Sequence, residues 1–353
     1  MNRIYENYVQ RDSMVQNCKC CIKDMSELSV DEKTFISQNA KYFQSLDWAD
    51  LNHKLDKKSG IIIFNDGNEI KNTWLFFRME LNVLGFHYRE MRLETEPVFY
   101  NHADSMLIEL IQYCKENRYD NILFQTNMSN WTIDLKKMST HFSNISDFGT
   151  CIIDLNEEIF QICKKVHKKH RNIIRKAVKM NYTVIEDKQN EKITDFYDLI
   201  NETYNRSGQF GYSMEYLQTI LSSQYNRLFL CYSSKNELTA AAIIVGDKKQ
   251  AYYLHGGSIT SSNGASNLLQ WHIIKQLKKE GCQKYDFGGV SYNPEKGSKP
   301  YGIRMFKERF GGEFMHVYRG QIIINKTKTD IMALVRIIYN RSRILKKIFH
   351  INT

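Results

Sequence analysis

No stretch of this 353-residue chain reaches the ~20 consecutive apolar residues that a membrane-spanning helix needs, and the opening MNRIYENYVQRD has no apolar core of leader length. The expectation is a cytoplasmic protein that at most touches a membrane surface. Of the eight cysteines only Cys18, Cys20 and Cys21 cluster, and no second pair or histidine set completes a tetrahedral site, so no metal is expected. No Ser/His/Asp or Cys/His arrangement emerges, which leaves a covalent acyl-enzyme without support. What is present is an ordinary globular composition, 42% hydrophobic and 25% charged. The length points to two domains. A formal net charge of +10 gives a field that draws in polyanions: nucleic acid, a diphosphate-linked precursor or an anionic membrane.

Residues 1–40 are polar and weakly patterned, and Phe35 to Leu46 reads as a helix leading to Trp48. Gly60–Phe64, Trp74–Met79 and His87–Leu93 read as strands of an antiparallel meander, the first turning back at Asn65-Asp66-Gly67-Asn68. Met106 to Tyr113 has helical spacing with Asp104 or Ser105 as its cap. Asn121–Gln125 is then a strand, Trp131–His141 a helix and Thr150–Leu155 a strand. This α+β order recurs. Strand Tyr182–Glu186 precedes a helix within Glu191–Ser213 that breaks at Arg206-Ser207-Gly208. Three strands follow, Arg227–Tyr232, Leu238–Gly246 and Ala251–His255, then a loop to Gly264, helix Ala265–Glu280 and strand Gln283–Phe287. Such a loop presents backbone N–H groups at a helix start, which suits an anion.

Glu158 to Lys179 reads as one long helix. Ile159, Ile162, Cys163, Val166, Ile173, Ile174 and Ala177 mark its apolar side, while Lys164, Lys168, Arg171, Arg175 and Lys179 form on the other a basic stripe without a single acidic residue. The stripe is either a solvated face or a seat for a phosphate backbone, with Lys164, Lys168, Arg171 and Arg175 as the nucleic-acid contacts. Lys328 to Phe349 is a second basic amphipathic helix, with Ile331, Leu334, Val335, Ile338, Leu345 and Ile348 on one side. It could lie on an anionic membrane; the expectation is that its apolar side packs on a domain.

The chain turns on Tyr285 to Phe314. A short strand is expected to end at Gly288 and Gly289, a polar loop through Pro294 and Pro300 follows, then a helix Gly302–Arg309 bearing Phe306 and Lys307, and the pair Gly311-Gly312. Asp286-Phe287-Gly288-Gly289, Phe306-Lys307 and Phe310-Gly311-Gly312, with His170-Arg171-Asn172-Ile173-Ile174-Arg175-Lys176-Ala177 upstream, resemble the Fem family of peptidoglycan-bridge aminoacyltransferases.

The resemblance implies two tandem acetyltransferase-like (GNAT) domains, residues 1–155 and 156–325, each a mixed, mostly antiparallel sheet flanked by helices. The C-terminal helix, 326–353, would return to the first. It implies a monomeric transferase that uses no cofactor and joins an amino acid from charged tRNA to a UDP-linked or lipid-linked muropeptide precursor. The absence of an inserted helical-hairpin arm points to the compact members and a soluble, nucleotide-linked acceptor. Lys307 would stabilise the oxyanion and Phe306 would stack on the donor. Arg206 would meet a diphosphate, and Tyr253, Gly288, Gly289 and Tyr301 would line the substrate. Asp286, expected to be exposed at its strand end, would orient the amine. The alternative is an acyl-coenzyme A-dependent N-acyltransferase acting on an amino sugar, although the usual pyrophosphate-loop signature is absent. A third reading is an RNA- or membrane-binding scaffold.

Overall fold

In the computed structural model, residues 18–95, 103–127, 142–261 and 263–341 are described. The first 17 residues and the helix expected at Trp131–His141 lie outside them. In chain order the elements are β1 (Cys18–Lys23), α1 (Val30–Asn39), α2 (Leu46–His53), β2 (Ser59–Asp66), β3 (Glu69–Val83), β4 (Phe86–Leu93), α3 (Ala103–Glu116), β5 (Asn121–Asn127) and β6 (Phe142–Asp154). Then come α4 (Ile159–Lys165), α5 (Lys168–Lys179), β7 (Thr183–Asp187), α6 (Ile193–Asn205), α7 (Met214–Leu221), β8 (Arg227–Tyr232), β9 (Leu238–Gly246), β10 (Gln250–Ser258), α8 (Ala265–Lys279), β11 (Lys284–Ser291), α9 (Lys299–Glu308), β12 (Glu313–Ile323) and α10 (Lys326–Arg341).

The strands form one 12-stranded sheet in the order β1-β2-β3-β4-β5-β12-β6-β11-β10-β9-β8-β7. Its two halves mirror each other. Each runs through antiparallel neighbours to a parallel pair, β4 with β5 and β10 with β11, and each parallel pair is spanned by a crossover helix, α3 or α8. Each half closes with a strand from the other's side of the chain: β12 pairs with β5, while β6 pairs with β11, and β12 and β6 pair with each other.

Three apolar cores follow from the strand alternation. One joins α5 and α8 to the second half's sheet around Tyr285, Phe287 and Phe310. Another packs α3 on Ile62, Trp74 and Phe76. The third draws on both halves, bringing Tyr42, Trp48, Ile61 and Leu75 together with Phe196, Leu217, Ile243 and Tyr252. Tyr42 Oη donates across it to Asn226 Oδ1 at 2.7 Å.

Several expectations change. The helix expected at Phe35–Leu46 instead starts at Val30, where Ser29 caps it, and ends at Asn39. The single helix expected over 158–179 is two, because Val166 is extended and His167 begins a new helix, its ring accepting from Lys169 N–H and its own N–H donating to Arg309 O. Gly288 and Gly289 do not end β11, which continues to Ser291 through a bulge. On α10 the expected packing is turned around. Thr329 and Met332 are buried, Arg336 reaches Glu90, and the apolar residues Ile331, Leu334, Ile337 and Ile338 face outward.

Candidate active site

The parallel pairing of β10 with β11 stops at Tyr252↔Asp286, although β10 runs on to Ser258 and β11 to Ser291. Both strands bulge there, between Tyr253 and His255 on β10 and between Asp286 and Gly289 on β11. The result is a wedge open between two sheet strands. Backbone groups on its walls have no ladder partner from the facing strand, so side chains or a ligand must satisfy them. Gly288 supports this geometry: its φ is +73°, and a Cβ there would lie 3.2 Å from Tyr253 O and 3.9 Å from Lys307 Nζ. At Gly289 a Cβ would strike the Phe148 ring at 2.5 Å.

Helix α9 delivers Lys307 to this wedge. Ser298 caps the helix by accepting from Tyr301 N–H, and Pro300 sits in its first turn. Lys307 Nζ donates to Gly289 O at 2.9 Å. The neighbouring acid does not claim it, because Glu308 pairs with Arg304 at 2.6 Å. Burial pushes the Lys307 ammonium down to about 8, with Asp286 and then Cys151 acting in the opposite direction. Phe306, beside it, is half-buried on the core, its ring 5.4 Å from His170 and 5.3 Å from Phe310. Burial lowers His170 to about 4, so that ring is neutral.

Asp286 is not exposed, as its place near a strand end had suggested. It is 3% exposed, accepts from Gly288 N–H at 2.7 Å and from the Thr150 hydroxyl, and its charge bears on Lys307. The physical reason is the bulge, which turns Gly288 N–H back onto the carboxylate while β6 brings Thr150 from 136 residues away. Thr150 carries no local motif that would have marked it. Tyr253 is half-buried on β10, and burial raises its phenol well above the ordinary range.

Arg206 caps the end of α6 and is held there, with Nη1 2.5 Å from Glu202 Oε1 and Nη2 donating to Thr203 Oγ1 and to Ser258 O at the tip of β10. Its guanidinium thus marks the mouth end of the strand that walls the wedge. Further back along the same strand, His255 accepts from or donates to Tyr216 Oη at 2.8 Å. No sequence signal linked those two residues.

The basic stripe is divided. Arg171 Nη1 donates to Lys164 O and Val166 O, satisfying the last carbonyls of α4. Lys164 lies over the Phe160 ring at 4.4 Å. Lys168, Lys169, Arg175, Lys176 and Lys179 are exposed on α5 with no ion-pair partner among the described residues. This helix adjoins the site: His170 packs against Phe306, and a Cβ at Gly264, just before α8, would meet Ile173 of α5 at 2.6 Å. Gly264 has φ +92° and α8 begins without a side-chain cap.

Residues 164–301 match the acetyltransferase (GNAT) domain family. The chain is 29% identical over 178 residues to a lipid II:glycine glycyltransferase of Staphylococcus saprophyticus, covering 46% of this chain and 39% of that protein. It is 24% identical over 174 residues to its namesake in Staphylococcus aureus, covering 47% of this chain and 38% of that one. The chain therefore spans about two fifths of the length of the curated relatives it matches. Among solved structures, FemX superposes with a TM-score of 0.67 at 15% identity, covering 88% of this chain and 99% of FemX. The C-terminal domain of a putative lysylphosphatidylglycerol synthetase from Agrobacterium fabrum gives 0.56 at 14%, covering 86% and 95%. The chain has a GNAT-like acyltransferase fold and resembles the Fem-type aminoacyltransferases.

Proposed function

We propose that the protein is an aminoacyltransferase that moves an amino acid from charged tRNA onto an amine of a peptidoglycan precursor. The observation that carries this reading is the ammonium of Lys307, held at the neck of the wedge on the carbonyl of Gly289. Attack of an amine on the aminoacyl ester puts negative charge on the carbonyl oxygen, and a cation already placed in the cleft stabilises that charge more than the ground state. The C–N bond forms, the ester C–O bond breaks, the amine's proton leaves to solvent or substrate, and the ribose hydroxyl regains one. Asp286 is a positioning residue here: with Thr150 and Gly288 holding it, its charge keeps Lys307 protonated near neutrality.

Phe306 walls the donor side, and the exposed cations of α5 beside it suit the phosphates of an acceptor stem. Arg206 suits a diphosphate at the strand tip, with Tyr253 and Tyr301 along the substrate's path. The relatives' name favours a lipid-linked precursor over the soluble nucleotide-linked one. We also propose the division into residues 1–155 and 156–325, with the reacting groups in the second part. A second reading, an acyl-coenzyme A donor, is favoured by the uncapped start of α8.

Titrating the protein with charged tRNA and with acetyl-coenzyme A at fixed salt separates them. The first reading predicts saturable tRNA binding that weakens at least tenfold in a Lys168→Ala/Arg175→Ala/Lys176→Ala variant, with no coenzyme A binding. Saturable coenzyme A binding with only salt-sensitive RNA association would establish the second.

A further inference from the structure

Strand β12 brings Arg319 to the middle of the sheet, where the transfer step makes no use of it. Arg319 lies directly opposite Gln125 of β5 and Ser146 of β6, so these side chains share one face with Phe148 and Thr150 further along β6. Gly289 of β11 stands opposite Thr150 and turns its open side to the same face. The third core flanks this stretch, with Phe77 in the first half and Tyr252 in the second.

The guanidinium is held in one orientation. Its Cζ lies over the Phe148 ring, 3.4 Å from the centroid, and Nε donates to Gln125 Oε1. Nη1 and Nη2 have no acceptor among the described residues, so the terminal fork stays open. Arg92, Arg227, Arg304 and Arg336 each pair with a carboxylate, whereas Arg319 has none among the described residues. Desolvation lowers its pKa and no carboxylate works the other way. A guanidinium fixed by one face and by Nε offers its two remaining edges to a planar anion with little ordering left to do.

The position selects the anion. A Cβ at Gly289 would lie 3.9 Å from Arg319 Nη2, and the carbonyl of the same glycine holds Lys307 Nζ. Standard bond lengths along that path put the two cations at most about 11 Å apart. Arg319 therefore stands within the span of a peptide whose amine reaches the wedge. With Arg206 suiting the diphosphate at the tip of β10, the carboxylate of that peptide is the anion left to place.

We propose that Arg319 binds the carboxylate of the acceptor peptide and so fixes the reach of its amine into the wedge. The inference rests on the acceptor reading given under the proposed function. Arg319 acts on affinity and on the choice of acceptor, not on the charge that develops at the reacting carbonyl.

The test is equilibrium binding by calorimetry at fixed salt, without donor. Its probes are a synthetic peptidoglycan stem pentapeptide ending in a carboxylate, the same peptide ending in a carboxamide, and UDP. Wild type is expected to bind the carboxylate form roughly tenfold more tightly, the worth of one good ion pair. Arg319→Met should remove that preference by weakening the carboxylate form alone, with UDP affinity and the melting transition unchanged. Arg319→Lys, which keeps the charge without the planar fork, should retain part of it. Equal binding of the two peptides by wild type overturns the inference without any variant and leaves the acceptor reading standing. Equal weakening of both peptides in Arg319→Met overturns it too. Loss of UDP binding in that variant, with the peptide preference intact, would assign the anion to a phosphate and overturn the proposal. If wild type binds neither peptide, the acceptor reading and this inference fall together.

Discussion

The two halves of the sheet each place an ionised group beside a parallel strand pair, and they treat it in opposite ways. In the first half Glu90, on β4 opposite Asn121, is wholly buried. Tyr88, Asn121, Arg92 and Arg336 all bond it, and although burial pushes its carboxyl up, the two guanidiniums hold it below the ordinary value. In the second half Lys307 beside β11 has one carbonyl and a nearby carboxylate, and burial moves it to about 8. A saturated charge is a structural rivet. One left under-satisfied in a cleft can serve a developing charge on a substrate.

The comparison is broken most strongly at Lys307. Lys307→Met should lower the transfer rate by about 10²–10³-fold, the effect of losing one oxyanion donor, measured under single-turnover conditions. Its thermal stability should hold or rise, because the group's folded pKa lies below its unfolded value and folding therefore disfavours the ammonium at neutral pH. Next comes Arg336→Met. It should destabilise the fold by about 3 kcal/mol in denaturant titration, since it strips a partner from a buried carboxylate. Glu90 also carries a pH signature: its stabilisation is present above its unfolded pKa and is lost as pH falls toward its lower folded value. Acid unfolding should begin at higher pH in the Arg336 variant.

A smaller effect is expected from Thr150→Val, which removes one donor from buried Asp286. A cost of about 1–2 kcal/mol in stability should accompany an alkaline limb of the transfer profile displaced from its wild-type position. Smallest is Gly288→Ala, about 1 kcal/mol in chemical denaturation, from forcing a side chain into a left-handed backbone; its closeness to Tyr253 O also narrows the wedge.

Much of this arrangement was legible in the chain. Continuous apolar runs marked β2, β8 and β9, and the Phe306-Lys307 pair after a loop pointed to the residue that enters the wedge. Other features were not, because distant partners create them. Strand β12, EFMHVYRGQII, intersperses polar residues among its apolar ones and receives no element from the sequence alone, yet it joins the two halves. The break between α4 and α5 has no glycine or proline; it depends on Arg309 O and on Arg171 closing α4. The burial of Asp286 depends on Thr150, and the outward face of α10 on Glu90, both far away in sequence.

The most direct test of Lys307 as the cationic stabiliser is the pH profile of transfer for wild type and Lys307→Arg between pH 6 and 10, a range chosen to span the lysine's lowered value of about 8. The wild-type rate should fall as pH rises through about 8, where the ammonium is lost. The arginine variant, slower but permanently charged, should show no such fall. The same alkaline fall in both proteins would assign the titration to another group and contradict the role given to Lys307.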